Sequence, residues 1–191
     1  MESFFVSTGV VALAEIGDKT QLLAFILAAR FKRPLPIIAG ILAATLINHG
    51  LAGALGAWMM AVVSPEIMRW ALGLSFIGMA IWTLIPDKIE EEETQVAKHL
   101  GVFGATFITF FLAEMGDKTQ IATIALAAHY GAPLLVIAGT TLGMLIADVP
   151  AVFVGNKFAA KIPMKLVHAI AAGIFAVMGM LTLLQVDTLF K

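Results

Sequence analysis

A glutamate and an aspartate three residues apart, followed at once by lysine, threonine and glutamine, concentrate hard oxygen ligands and one counter-charge in a short run. The chain holds this run twice, as Ala14-Glu15-Ile16-Gly17-Asp18-Lys19-Thr20-Gln21 and as Ala113-Glu114-Met115-Gly116-Asp117-Lys118-Thr119-Gln120. On a continuous helix, residues three and four apart share a face, so Glu15, Asp18 and Lys19 would line one side, and Glu114, Asp117 and Lys118 another. Four carboxylates brought to one point repel unless protons or a cation intervene. With the two lysines they leave a formal charge of −2, which a divalent cation neutralises. Carboxylates, with Thr20, Thr119, Gln21 and Gln120 as neutral oxygen donors, suit Ca2+, Mn2+ or Mg2+ better than softer metals. Gly17 and Gly116 permit close backbone approach, or a local break that frees carbonyls as further ligands. The bland alternative is a set of structural ion pairs, Glu15–Lys19 and Asp18–Lys19, pinning helices together; recurrence of the run in two halves weighs against it. Lys19 and Lys118 read equally well as fixed counter-ions and as groups that change partner when metal or proton binds.

These runs sit in an apolar chain. Of 191 residues 60% are apolar and 13% charged, and mean hydropathy is +0.97, a balance that points to lipid as solvent. The net charge of −1 gives no sign of nucleic-acid binding. The lack of cysteine excludes disulfides, thiolate metal sites and thiol catalysis. Six apolar segments, roughly 4–29, 35–63, 66–86, 101–128, 133–155 and 165–186, are each long enough for a ~30 Å hydrocarbon core. Ala12-Leu13-Ala14 could pass for a signal-peptide cleavage site, but Met1-Glu2-Ser3 offers no basic residue, so 4–29 is read as a retained span. Both acidic runs fall near the middle of a span, where a charge costs about 2.5–3.5 kcal/mol. They must face each other or a water-filled cavity.

The offset between the runs is 99 residues (Glu15 to Glu114), and without a gap it also aligns Leu27-Ala28-Ala29, Pro34-Leu35, Ile38-Ala39-Gly40 and Phe76 with their counterparts in the second half. The sequence therefore predicts an all-α polytopic membrane protein of six transmembrane helices. Residues 1–86 and 100–191 form two three-helix repeats, joined by an acidic linker at 87–99. An odd number of spans per half inverts the second repeat and places the two motifs at the repeat interface. Arg30, Lys32, Arg33, Lys88, Lys98, Lys157, Lys161 and Lys165 fall on one side, against Arg69 and Lys191 on the other. That bias puts both termini outside the cytoplasm and the linker, read as solvated, inside it.

Metal binding needs ionised carboxylates and so displaces protons. A site that holds either metal or protons, and must be occupied to turn over, performs metal–proton exchange. Asn48 and His49 lie in the second span, and Asp148, which aligns with His49, lies in the fifth. Intramembrane polar groups are functional candidates: His49 as a nitrogen ligand that would favour Mn2+ over Ca2+ or, with Asn48, as an interhelical hydrogen bond, and Asp148 behind the site or on a proton path beside a kink at Pro150. The methionines read as packing. Gly139-Thr140-Thr141-Leu142-Gly143 reads as close packing within the bundle, with a homo-oligomer left open.

The doubled Glu-x-Gly-Asp-Lys-Thr motif closely resembles the small family of Ca2+/Mn2+–proton exchangers, whose eukaryotic members work in the Golgi and whose bacterial members export manganese. The resemblance covers essentially the whole chain. It implies that Glu15, Asp18, Glu114 and Asp117 bind the cation and carry protons, with Thr20 and Thr119 nearby. It also implies export across the inner membrane of a bacterium, since the chain lacks the longer central loop and extra N-terminal segment of eukaryotic members. The expected partners are Mn2+ or Ca2+, protons and the lipid bilayer, with no cofactor and no nucleic acid. A passive cation channel or uniporter is the rival reading. Intramembrane aspartyl proteolysis is weaker: the first glycine of a Gly-x-Gly-Asp motif is replaced by Glu15 and Glu114, and Tyr130 precedes glycine rather than aspartate.

Overall fold

The structure, a computed structural model, describes residues 1–85, 100–154 and 164–184. The regular elements among them are helices: α1 (Glu2–Glu15), α2 (Lys19–Phe31), α3 (Pro34–Val62), α4 (Pro65–Thr83), α5 (Val102–Glu114), α6 (Lys118–Tyr130), α7 (Pro133–Val154) and α8 (Met164–Leu183). The acidic linker 87–99, with Lys88 and Lys98, lies outside the described residues, as do Lys157, Lys161 and Lys191.

Residues 4–29 and 101–128, each expected as one span, are both divided at the motif. The ladder stops because Ile16 and Met115 are extended, with ψ of 113° and 116°. Gly17 and Gly116 then take φ of +88° and +79°, where a Cβ would meet the following carbonyl. Each motif aspartate then becomes the N-cap of the next helix, and its lysine the first helical residue. Glu15 and Lys19 are therefore not one turn apart on a single helix. Of the two options open for the glycines, the local break is the one realised.

Prolines at the first turn start α3 and α4, where the missing N–H is no loss. α7 starts the same way at Pro133 and runs on through Pro150 to Val154. Among the described residues, three stretches are long and apolar enough to cross a membrane: Pro34–Val62, Pro133–Phe153 and Lys165–Leu183. The pattern of burial is that of a protein dissolved in lipid. Leu46, Ile47, Leu51, Leu55 and Trp58 lie exposed along α3, while Thr45, Asn48 and His49 of the same helix are fully buried.

The motif helices cross long helices of the other half. A Cβ at Gly139 would lie 2.5 Å from the Phe4 carbonyl oxygen, and one at Gly143 would lie 2.6 Å from that of Thr8, so α7 presses directly on α1. Gly40 of α3 approaches α5 equally closely, 2.7 Å from Thr106 Cβ on the same measure. The glycines of 139–143 thus pack within the bundle. Backbone approach of this kind lets dispersion and polar contacts join helices where lipid gives no hydrophobic drive.

Candidate metal centre

The two breaks meet at the centre of the bundle. Each is closed by the same local bonds: Asp18 N–H donates to the Glu15 carbonyl at 3.0 Å, and Asp117 N–H to that of Glu114 at 3.1 Å. The glutamine one turn into the next helix reaches back, so that Gly17 N–H donates to Gln21 Oε1 at 3.0 Å and Gly116 N–H to Gln120 Oε1 at 2.7 Å. Gln21 Nε2 also donates to the Ala147 carbonyl of α7 at 3.0 Å. Both glutamines thus hold the shape of the breaks. The C-termini of α1 and α5, each ending in a glutamate, bring partial negative charge to the centre, where a cation is favoured.

The threonines orient the glutamates. Thr20 Oγ1 donates to Glu15 Oε2 at 2.7 Å, and Thr119 Oγ1 to Glu114 Oε2 at 2.9 Å. The other oxygen of each glutamate, Oε1, is buried and has no hydrogen-bond partner among the described residues. Oxygens of Glu15, Glu114 and Asp117 lie within 4.8 Å of one another. A common centre then exists within about 2.8 Å of all three, slightly beyond the 2.3–2.6 Å of Ca2+–oxygen bonds. A small inward shift would complete a hard-cation site.

The lysines pair across the halves. Lys118 Nζ lies 2.7 Å from Asp18 Oδ1, and Lys19 Nζ lies 3.4 Å from Asp117 Oδ1. This exchange across the halves differs from the Glu15–Lys19 and Asp18–Lys19 pairs of the bland alternative. Once the break makes each lysine the first residue of a new helix, its side chain points at the other motif.

The remaining candidates are placed less centrally. Asn48 Nδ2 donates to the Phe111 carbonyl of α5 at 3.1 Å, an interhelical bond. His49 and Asp148 are fully buried at matching positions of α3 and α7, and neither the ring nitrogens nor the carboxylate oxygens have a partner among the described residues. His168 of α8, which neither motif nor spacing singles out, lies with Nε2 2.9 Å from the Ile16 carbonyl turned out by the first break. The signal that could have found it is that its counterpart at the same offset, Arg69, is also polar within an apolar span.

A family model described as "Divalent cation/proton antiporter GDT1" matches residues 3–91 and 102–188, one segment in each half. The chain is 51% identical over 183 residues to a protein of Vibrio cholerae named "Putative manganese exporter", covering 95% of this chain and 90% of that one. A GDT1-like protein of Synechocystis is 33% identical, covering 87% of this chain and 89% of the relative. GDT1-like protein 5 of Arabidopsis thaliana is 28% identical over 96% of each chain. No solved structure matches it significantly. With two glycine-broken acidic motifs brought together inside an apolar helical bundle, and matches that run through both halves, this chain belongs to the GDT1 family of divalent cation/proton antiporters.

Proposed function

We propose that this chain exports a divalent metal from the cytoplasm in exchange for protons, with Mn2+ the leading substrate and Ca2+ its competitor, by alternating access. The observation that carries this reading is the convergence of Glu15, Glu114 and Asp117, contributed by both halves, on one buried point. Two of these residues come with an oxygen that has no other partner among the described residues.

Glu15, Glu114 and Asp117 are the proposed ligands, and Asp18 joins them when metal draws it from Lys118. Lys118 and Lys19 are then the groups that change partner, balancing the site when it holds neither metal nor proton. Thr20 and Thr119 aim the glutamates and keep lone pairs for the ion. Gln21 and Gln120, with Gly17 and Gly116, hold the breaks from which these side chains project. Asp148 is the proposed proton-path group, with His49 behind the site and Asn48 fixing α3 to α5. Protons returning on the same carboxylates make metal and proton alternative cargoes of one site.

The topology follows from counting α1 with α2, and α5 with α6, as single broken spans, giving six in two inverted sets of three. The reciprocal lysine pairing supports that arrangement, because each motif completes the other. Loop charge then puts α1 and α6 in the outer half and α2 and α5 in the cytoplasmic half of a bacterial inner membrane. Mn2+ is preferred to Ca2+ because the Vibrio cholerae relative is named a manganese exporter.

The test is Mn2+ and Ca2+ flux in proteoliposomes under an imposed pH gradient, for wild type and Glu15→Gln. Gradient-driven metal flux, saturating with metal and lost in the variant, is expected. Flux indifferent to the gradient would leave a channel or uniporter instead.

A further inference from the structure

The two halves are not packed alike. α4 and α8, the last helices of each half, pack on each other where Phe76 stacks on its counterpart Phe175, with ring centroids 6.4 Å apart. As a pair they belong to one side of the molecule. Leu72, Phe76 and Met79 of α4, with Ala172 and Phe175 of α8, share a core with α1 and α6. The core drawn from α2, α3, α5 and α7 contains no residue of α4 or α8 among the described residues.

Matching positions register the difference. His129 of α6 meets Phe76 edge-on, with centroids 5.8 Å apart. Ala125, four residues earlier on the same face, is 3% exposed, whereas Ile26 at the matching place on α2 is 39% exposed. The side chain of Lys19 is 17% exposed against 3% for Lys118. On both measures α2 is less covered than α6.

His168 fastens this arrangement. A carbonyl oxygen only accepts, so the 2.9 Å contact means that His168 Nε2 carries the proton and donates to Ile16. That bond ties α8 to the carbonyl beside Glu15. The corresponding residue of α4 is Arg69 and the corresponding carbonyl is that of Met115, but no hydrogen bond joins them among the described residues. Arg69 Nε is shielded from solvent with no partner there, and the guanidinium lies over the neighbouring Trp70 ring at 5.4 Å.

Resting on the exchange and topology proposed above, we infer that His168 is a positioning residue whose bond to Ile16 holds the α4–α8 pair against α1 and α6, leaving the site open to the cytoplasm. In the opposite conformation the halves trade roles. The α4–α8 pair moves onto α2 and α5, His168 releases Ile16, and Arg69 takes the Met115 carbonyl.

Because the chain has no cysteine, single cysteines report without background. Ile26→Cys and Ala125→Cys are placed in the full chain in sealed vesicles, and a membrane-impermeant maleimide is added to either face. Residue 26 labels from the cytoplasmic face and residue 125 stays protected. His168→Phe keeps a ring without the donor; it should raise labelling at 125 and lower it at 26, changing the ratio roughly fivefold, the weight of one net hydrogen bond. His168→Gln keeps a donor and should restore the original ratio. Arg69→Met alone should move the ratio the other way, which tests the pair even where His168→Phe folds poorly. Unchanged labelling in folded His168→Phe, or a His168→Gln ratio equal to that of His168→Phe, would overturn the inference. A His168-dependent shift with residue 26 labelled from the outer face would keep the latch and discard the proposed topology.

Discussion

The two motif copies use the same residues in different surroundings. Around the second break, Lys118 is buried, its aspartate partner lies 2.7 Å away, and α6 is covered by α4. Around the first, Lys19 is partly exposed, its partner lies 3.4 Å away, and α2 keeps Leu22 and Ile26 uncovered. A site assembled from equivalent halves need not be symmetric at any instant. The difference lies in the shell of α4 and α8, while the carboxylates themselves, Glu15 and Glu114, are equally buried and equally held by threonine.

Substitutions at matched positions sharpen that comparison. The largest contrast is expected at the lysines. Lys118→Met removes the 2.7 Å partner of buried Asp18, a loss of about 3–5 kcal/mol, while Lys19→Met, with its longer and wetter pair, should cost clearly less; unfolding in mixed micelles reads the ranking. Equal losses would mean that the asymmetry has no energetic content. Gly17→Ala and Gly116→Ala should each cost about 1–2 kcal/mol, because both positions have positive φ, with transport impaired alike in both. Thr20→Val and Thr119→Val remove a hydroxyl bonded to a carboxylate and should weaken apparent metal affinity severalfold, leaving the fold intact; competition flux assays would measure it. The smallest effect concerns the ends of α2 and α6, where Lys32 at φ 53° occupies the left-handed position that Gly131 fills at φ 61° in the second half. Lys32→Gly should raise thermal stability slightly, by about 1 kcal/mol, and Gly131→Lys should lower it by a similar amount.

The parts legible in the sequence were those where charge stands out against an apolar background. Glu15, Asp18 and their copies announce themselves because an apolar chain buries charge only where another group or an ion answers it, and Gly17 and Gly116 carry the possibility of a break. The lysine partners were not legible. Helical spacing pairs Lys19 with Glu15, and only after the chain turns at Gly17 does Lys19 point at Asp117. His168 was hidden for another reason: its partner is a backbone carbonyl, which leaves no mark on residue type. The orphan polarity of His49 and Asp148 was readable as depth and alignment, but which group each serves depends on helix rotation that spacing does not encode.

The central claim is that both motifs build one cation site. Equilibrium Mn2+ binding to the purified full chain tests it most directly, comparing wild type with Glu15→Gln and Glu114→Gln. One ion per chain, with binding abolished by either substitution alone, is the expected result. Two ions per chain, or one motif still binding Mn2+ after the other is neutralised, would contradict it.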